Sequence, residues 1–229
     1  MSERIHHGTP GPGNPTPPTG SPGLIPTGIQ IFDRLYGGVE RGDLLVLTAD
    51  TMVHAQVLLG HVAAAVIQDG GHVALADFGG GSTSARLRSL IPQLHPGELH
   101  QHREPVPVEE LIERTKAWVD QDSYLRALLL SSLQAVGGQE ERKLRLLKNH
   151  ARDARILVAV AAEPPRKARG GEVLAHFGAK GDDTDLLLYL EDGLPLFPST
   201  NRLRVKKSRT IEISAKTVRL DEACGLIAC

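Results

Sequence analysis

Short apolar runs alternate along this chain with amphipathic stretches, and that alternation limits the class of fold open to it. Residues 44–48 read as a buried strand, and the Ala-rich run 53–68 as the helix after it. Residues 72–77 predict a second strand, closed by Gly79-Gly80-Gly81, and 84–91 a short helix stopped by Pro92. Residues 108–120 predict a helix with Leu111, Ile112, Thr115 and Val119 on one face. Three more strands are predicted at 125–130, 156–161 and 186–190, with a basic helix at 140–151. Residues 164–181 read as a long Gly- and charge-rich loop, and 203–205, 211–214 and 218–220 as short edge strands. Strands alternating with helices form βαβ units, so the expected fold is α/β, with a mostly parallel central sheet and helices on both faces.

Composition sets the remaining bounds. The 229 residues suffice for one domain with a sizeable core. Aromatics make up only 3%, so that core must be Leu, Val, Ile and Ala. Residues 1–23 are Pro, Gly, Thr and Ser with almost no apolar content, which predicts a disordered tail before a domain at 24–229. Net charge is −1, so no whole-chain basic field draws the protein to nucleic acid. The two cysteines, Cys224 and Cys229, are too few for a structural zinc site and fit a reducing, cytoplasmic setting. No apolar run is long enough to span a membrane.

The chemistry is concentrated around the first strand. Leu24-Ile25-Pro26-Thr27-Gly28-Ile29, Phe32-Asp33-Arg34-Leu35, Gly37-Gly38 and Arg41-Gly42-Asp43 lead into Leu44-Leu45-Val46-Leu47. Ala49-Asp50-Thr51-Met52-Val53-His54-Ala55-Gln56 follows. The third strand runs into Ser131-Ser132-Leu133-Gln134, and Asp182-Asp183-Thr184-Asp185 precedes the fifth. Lys207-Ser208-Arg209 follows Leu203-Arg204-Val205. In this order the set resembles the RecA-like ATPase domain of DnaB-type replicative helicases, a group close to the KaiC and RadA proteins, over roughly residues 24–221. The resemblance implies a P-loop NTPase fold.

It also implies where a nucleotide site should be. A phosphate loop wraps backbone N–H groups around the phosphates, a Lys neutralises them and a Ser or Thr hydroxyl holds magnesium. Matched to that loop, the two glycines are Ala49 and His54, the Lys is Ala55 and the Ser/Thr is Gln56, while Asp50 adds a negative charge. The magnesium-orienting Asp matches Ser131, the catalytic Glu matches Gly79 and the polar sensor matches Glu163. Asp77 and Glu98 are the carboxylates that could stand in for the Glu. The resemblance thus implies degenerate Walker A and Walker B motifs, with no cofactor bound. Lys207 and Arg209 match the finger that the family extends into a neighbouring subunit's site. The family's loop Arg is replaced by Ala175, so DNA contact would fall to Arg166, Lys167, Arg169 and Lys180 and be weak and salt-dependent.

These residues imply a catalytically inactive RecA/DnaB-like module that binds or regulates in DNA replication, recombination or repair. Its partner would be a protein or oligomer, such as an active paralogue. The alternative is an ATP-dependent helicase or recombinase-like ATPase that holds ATP and magnesium through an altered loop. Plainer roles stand beside these. Lys207 and Arg209 also suit an edge strand that resists aggregation. The basic side of helix 140–151, with Arg142, Lys143, Arg145, Lys148 and Arg152, reads as a solvated face. His61 and His72 sit among apolar neighbours and read as packed or boundary residues.

Overall fold

The computed structural model describes residues 23–78, 81–166, 172–173, 176, 184–191, 201–207, 211–221 and 225–228. The expected tail, Cys224 and Cys229 lie outside these residues, Gly23 excepted. In chain order the elements are β1 (Leu24–Ile25), α1 (Gln30–Tyr36), β2 (Val39–Glu40), β3 (Leu44–Ala49), α2 (Met52–Gln68), β4 (His72–Ala76) and α3 (Ser82–Leu90). A 3-10 turn (Pro96–Glu98), β5 (Leu99–His102), α4 (Val108–Gln121), β6 (Leu125–Leu130), α5 (Glu140–Ala154) and β7 (Leu157–Ala162) come next. The chain closes with β8 (Leu186–Glu191), β9 (Asn201–Lys207), β10 (Ile211–Asp221) and β11 (Gly225–Ala228).

Nine strands form one sheet in the order β11-β10-β9-β8-β3-β7-β6-β4-β5. Every pairing from β8 to β5 is parallel, while β9, β10 and β11 add antiparallel. The expected α/β fold with a mostly parallel sheet is therefore the observed one. β3 shows why. Leu45, Leu47 and Ala49 pack on one face with α2, and Leu44 and Val46 pack on the other with α4 and α5. A strand covered on both sides must be apolar throughout, as this one is. α2 is itself buried almost continuously from Ala55 to Ile67, which its Ala- and Val-rich sequence permits.

Several features depart from the sequence reading. β5, with the sequence Leu-His-Gln-His, escapes it because two histidines mask the alternation. β11 and the small β1–β2 ribbon escape it too. The two short strands expected at 211–214 and 218–220 are one strand, β10, with a register shift between Glu212 and Ser214.

The last departure is a correction on α5. Arg142, Arg145 and Arg152 are exposed as a solvated face requires, but Lys143 and Lys148 are buried. Lys143 Nζ donates to the carbonyls of Leu133 (2.9 Å) and Val136 (2.8 Å). The loop after β6 has carbonyls with no strand partner, and a long aliphatic stem can carry an ammonium to them across an apolar helix face. Lys148 Nζ lies 2.9 Å from Asp185 Oδ1, whose other oxygen accepts from the amide of Leu44 at 3.0 Å. Asp185 thereby ties α5, β3 and β8 together at the amino ends of the parallel strands.

His150 gives α5 a pH dependence. It is buried and neither ring nitrogen has a hydrogen-bond partner. Burial, aided by the Lys116 charge and opposed by Asp153 and Glu113, lowers its pKa from 6.5 to about 4. The unfolded chain therefore takes up this proton before the folded one does. Its contribution to stability is whole above pH 6.5 and drains away as pH falls toward 4. A loss of about 3 kcal/mol is expected over that window. His150→Leu should flatten this part of the profile in urea unfolding at stepped pH; an unchanged slope would refute the assignment.

Candidate functional site

Open α/β sheets hold ligands outside the carboxyl ends of their strands. At that rim β3 ends with Ala49 and α2 begins with Met52, so Asp50 and Thr51 are the whole connection. Met52, Val53 and His54 form the first turn of the helix instead of a wide loop, and His54 N donates to Thr51 O at 3.1 Å. Ala49 and Ala55 are buried core residues. Val53 is 63% exposed at the start of the helix.

Several polar groups at this rim bond to one another, although Thr48 Oγ1 and Asp77 Oδ1 are buried without a hydrogen-bond partner. Gln56 is buried and its Nε2 donates to the carbonyl of Ser131 at 3.2 Å. Ser131 N donates to Ala76 O at 2.9 Å, and its Oγ accepts from Phe78 N at 2.8 Å. One chain of hydrogen bonds thus joins α2 to the ends of β6 and β4. Asp50 is exposed; its amide donates to Leu190 O at 3.2 Å, and its carboxylate accepts the hydroxyl of buried Tyr189.

Both stand-in carboxylates are engaged at a helix start. Asp77 Oδ2 accepts from Ser84 N at 3.0 Å and so caps α3, a helix whose N-cap is a glycine. Glu98 Oε2 accepts from His95 N at 2.8 Å and caps its own 3-10 turn. Short acidic side chains beside a helix start find orphan amides more readily than a distant centre does. His72 is a half-buried boundary residue, and its Nδ1 donates to Asp122 Oδ2 at 2.7 Å.

The Leu-Gln pair after β6 works as a strap. Leu133 N donates to Ala161 O at 2.8 Å. Gln134 Oε1 accepts from Glu163 N at 3.1 Å, and its Nε2 donates to Glu140 at 3.0 Å. Glu163 is exposed, and so is Arg166 just beyond it. The Thr-Gly lead-in is also engaged. The Asp33 carboxylate accepts from Thr27 N (3.0 Å), Thr27 Oγ1 (2.7 Å) and Gly28 N (2.9 Å). Burial raises the Asp33 pKa, against the opposing pull of those hydrogen bonds. Local sequence carries no sign of the Gln56–Ser131 and Tyr189–Asp50 contacts, which join residues 75 and 139 positions apart.

Lys207, the described one of the two finger residues, belongs to the other rim. Lys207, the last residue of β9, pairs with Leu186, the first of β8. Ala49 pairs with Leu190, which pairs with Leu203. Lys207 therefore lies at the amino ends of the parallel strands and Ala49 at their carboxyl ends. Gly79, Lys167, Arg169, Ala175, Lys180 and Arg209 lie outside the described residues. Among the described residues no three His, Cys, Asp or Glu side chains could hold a metal ion, and no helix is long and apolar enough to cross a membrane.

No protein-family model matches the sequence, and no curated protein matches it. Solved structures are similar in fold. One, the ATPase domain of a DnaB-like helicase, is 13% identical with a TM-score of 0.73, over 93% of each chain. A DnaB-like replicative helicase, described with its interactions with primase, is 13% identical with a TM-score of 0.70 over 91% of this chain. This chain spans 64% of that helicase's length. The fold is that of DnaB-like helicase ATPase domains.

Proposed function

We propose that this protein is a non-catalytic member of the RecA/DnaB-like fold that acts as a binding or regulatory module in DNA replication, recombination or repair. The observation that carries the reading is the closed rim after β3. Its two-residue connection offers no cradle of amides, Gln56 Nε2 is held by the Ser131 carbonyl, and the Ser131 hydroxyl is held by Phe78 N. Asp50 adds a carboxylate that repels phosphate, and no Lys stands at Ala55. Each lost charge-assisted hydrogen bond to a phosphate removes on the order of 2 kcal/mol of binding.

Calorimetry with ATP and magnesium should therefore show no binding at millimolar nucleotide. A micromolar Kd would overturn the reading in favour of an ATPase with an altered loop. Ala55→Lys alone should not restore hydrolysis, because Gln56 and Ser131 would remain.

The opposite placement of Lys207 supports the second half of the reading. A group at the amino ends of the strands cannot serve a site at their carboxyl ends in the same molecule. Lys207 and Arg209 would act on a neighbour with an intact phosphate loop, where a cation in trans can raise phosphoryl transfer by orders of magnitude. The DnaB-like helicase of similar fold is described with primase, and replication proteins are the class in which to seek the partner. DNA contact through Arg166 and its neighbours Lys167, Arg169 and Lys180 would be weak, sequence-independent and lost in salt.

A further inference from the structure

Two of the chain's scarce aromatic residues, Trp118 and Tyr124, meet two histidines at one corner of the sheet. His100 on edge strand β5 stacks on Trp118 of α4, with ring centroids 5.5 Å apart and planes at 23°. His72, at the start of β4, lies 5.4 Å from Tyr124. One carboxylate joins the two pairs. Asp122 Oδ2 accepts from His72 Nδ1 at 2.7 Å and from His100 Nε2 at 2.8 Å, while Oδ1 accepts from Tyr124 N at 3.0 Å. Burial pushes the Asp122 pKa up, but the bonds from His100, His72 and Tyr124 outweigh it and hold the carboxyl below its ordinary range. The result is a fixed row of Trp118, His100, His72 and Tyr124. Three of its rings are half-buried and Tyr124 is 61% exposed, whereas Phe32 and Tyr189 are buried in the core.

A rigid row of rings that carries the Trp118 indole N–H and the Tyr124 O–H as donors, the histidine N–H groups being held by Asp122, suits a polyproline II helix. Flat pyrrolidine rings pack on the aromatic faces, and the backbone carbonyls, which such a helix leaves unbonded, accept from the donors. The chain carries a matching segment. Pro10, Pro12, Pro15, Pro17, Pro18 and Pro22 fall within residues 10–22. Polyproline II repeats every three residues, so Pro12, Pro15 and Pro18 share one face at a spacing of about 9 Å.

The segment also ends in the right place. Leu24 pairs with Glu40, whose amide donates to Asp43 at 3.1 Å just before β3. The chain therefore enters the fold at the rim formed by the amino ends of the parallel strands, the same rim as His72 and Asp122. Three strand spacings, about 15 Å, separate β3 from β4. Residues 10–22 extended as polyproline II cover roughly 40 Å, enough to cross that distance and lie along the row.

We propose that residues 10–22 dock as a polyproline II helix on the Trp118–His100–His72–Tyr124 row of the same molecule, with Pro12, Pro15 and Pro18 against the rings. The segment gives up little entropy, because polyproline II is already a main conformer of unfolded chains. Tethering keeps its effective concentration near millimolar, so a weak contact suffices.

Trp118 is the only tryptophan, so its fluorescence reads the row directly in the full chain. Pro12→Ala/Pro15→Ala/Pro18→Ala should raise acrylamide quenching of Trp118 about 2-fold. Pro10→Ala/Pro17→Ala/Pro22→Ala, which removes as many prolines from the other faces, should leave quenching near wild type. A peptide of residues 8–22 should restore shielding to the first variant saturably, and fail with Tyr124→Ala added. The proposal is overturned if both triple variants match wild type, or if both rise equally. It is also overturned if shielding falls on dilution, since the segment would then belong to a second copy.

Discussion

Gly28→Ala should cost the fold about 4 kcal/mol, seen as a large drop in the urea midpoint with the slope unchanged. Two separate effects add. Gly28 has φ +71°, a conformation that costs an L-residue about 1–2 kcal/mol. A Cβ there would also lie 2.6 Å from the His61 carbonyl oxygen and 3.2 Å from Ala65 Cβ. Both belong to α2, which is buried along most of its length and cannot retreat, and overpacking of this kind costs roughly 1–3 kcal/mol. Gly70→Ala separates the two. It has φ +77° with nothing within 4 Å, so it should cost only about 1–2 kcal/mol. Equal losses for the two variants would show that close approach to α2 plays no part.

Asp185→Ala should destabilise by about 3 kcal/mol. The substitution takes an acceptor from the Leu44 amide and the carboxylate from Lys148, whose side chain is only 10% exposed. Arg152, 3.7 Å from the same carboxylate and 60% exposed, adds little. Breaking a buried pair by removing one member is costly because a charge stays behind in a poorly solvated place. Lys148→Met placed on the Asp185→Ala background should therefore recover about 1 kcal/mol or more. If the double variant is instead as unstable as the sum of the singles, the ion pair is not the cause of the loss.

These two positions show what a sequence can and cannot convey. The Thr-Gly lead-in and the Asp before the fifth strand stand out as parts of an ordered pattern, and they prove to be joints of the scaffold. Strands β3, β6, β7 and β8 are legible because buried parallel strands are uninterrupted apolar runs. β5 is not, since histidines at positions 100 and 102 hide a strand whose burial depends on α4 folding over it. The basic helix misleads for a related reason. Lysine reads as surface, and only the fold reveals carbonyls within reach of Lys143. At the candidate site, residue types are legible but shape is not. Nothing in the eight residues from Ala49 to Gln56 says that Met52 to His54 wind into helix. Nor do they say that Gln56 meets Ser131, 75 positions away.

The separation of Lys207 and Ala49 to opposite ends of the strands has a consequence for symmetry. A contact between the Lys207 end of one molecule and the Ala49 end of another joins unlike surfaces. Such a pairing is heterologous, and it leaves one end of each sort unused after every addition. A two-fold dimer joined end to end would bury the same end twice and cannot make this contact. An assembly built on this contact is therefore polar. It closes as a ring when the rotation per molecule divides the circle, and grows as a helical filament when it does not. A lone copy among active neighbours would fill one position in that series, contributing an end on one side and receiving one on the other.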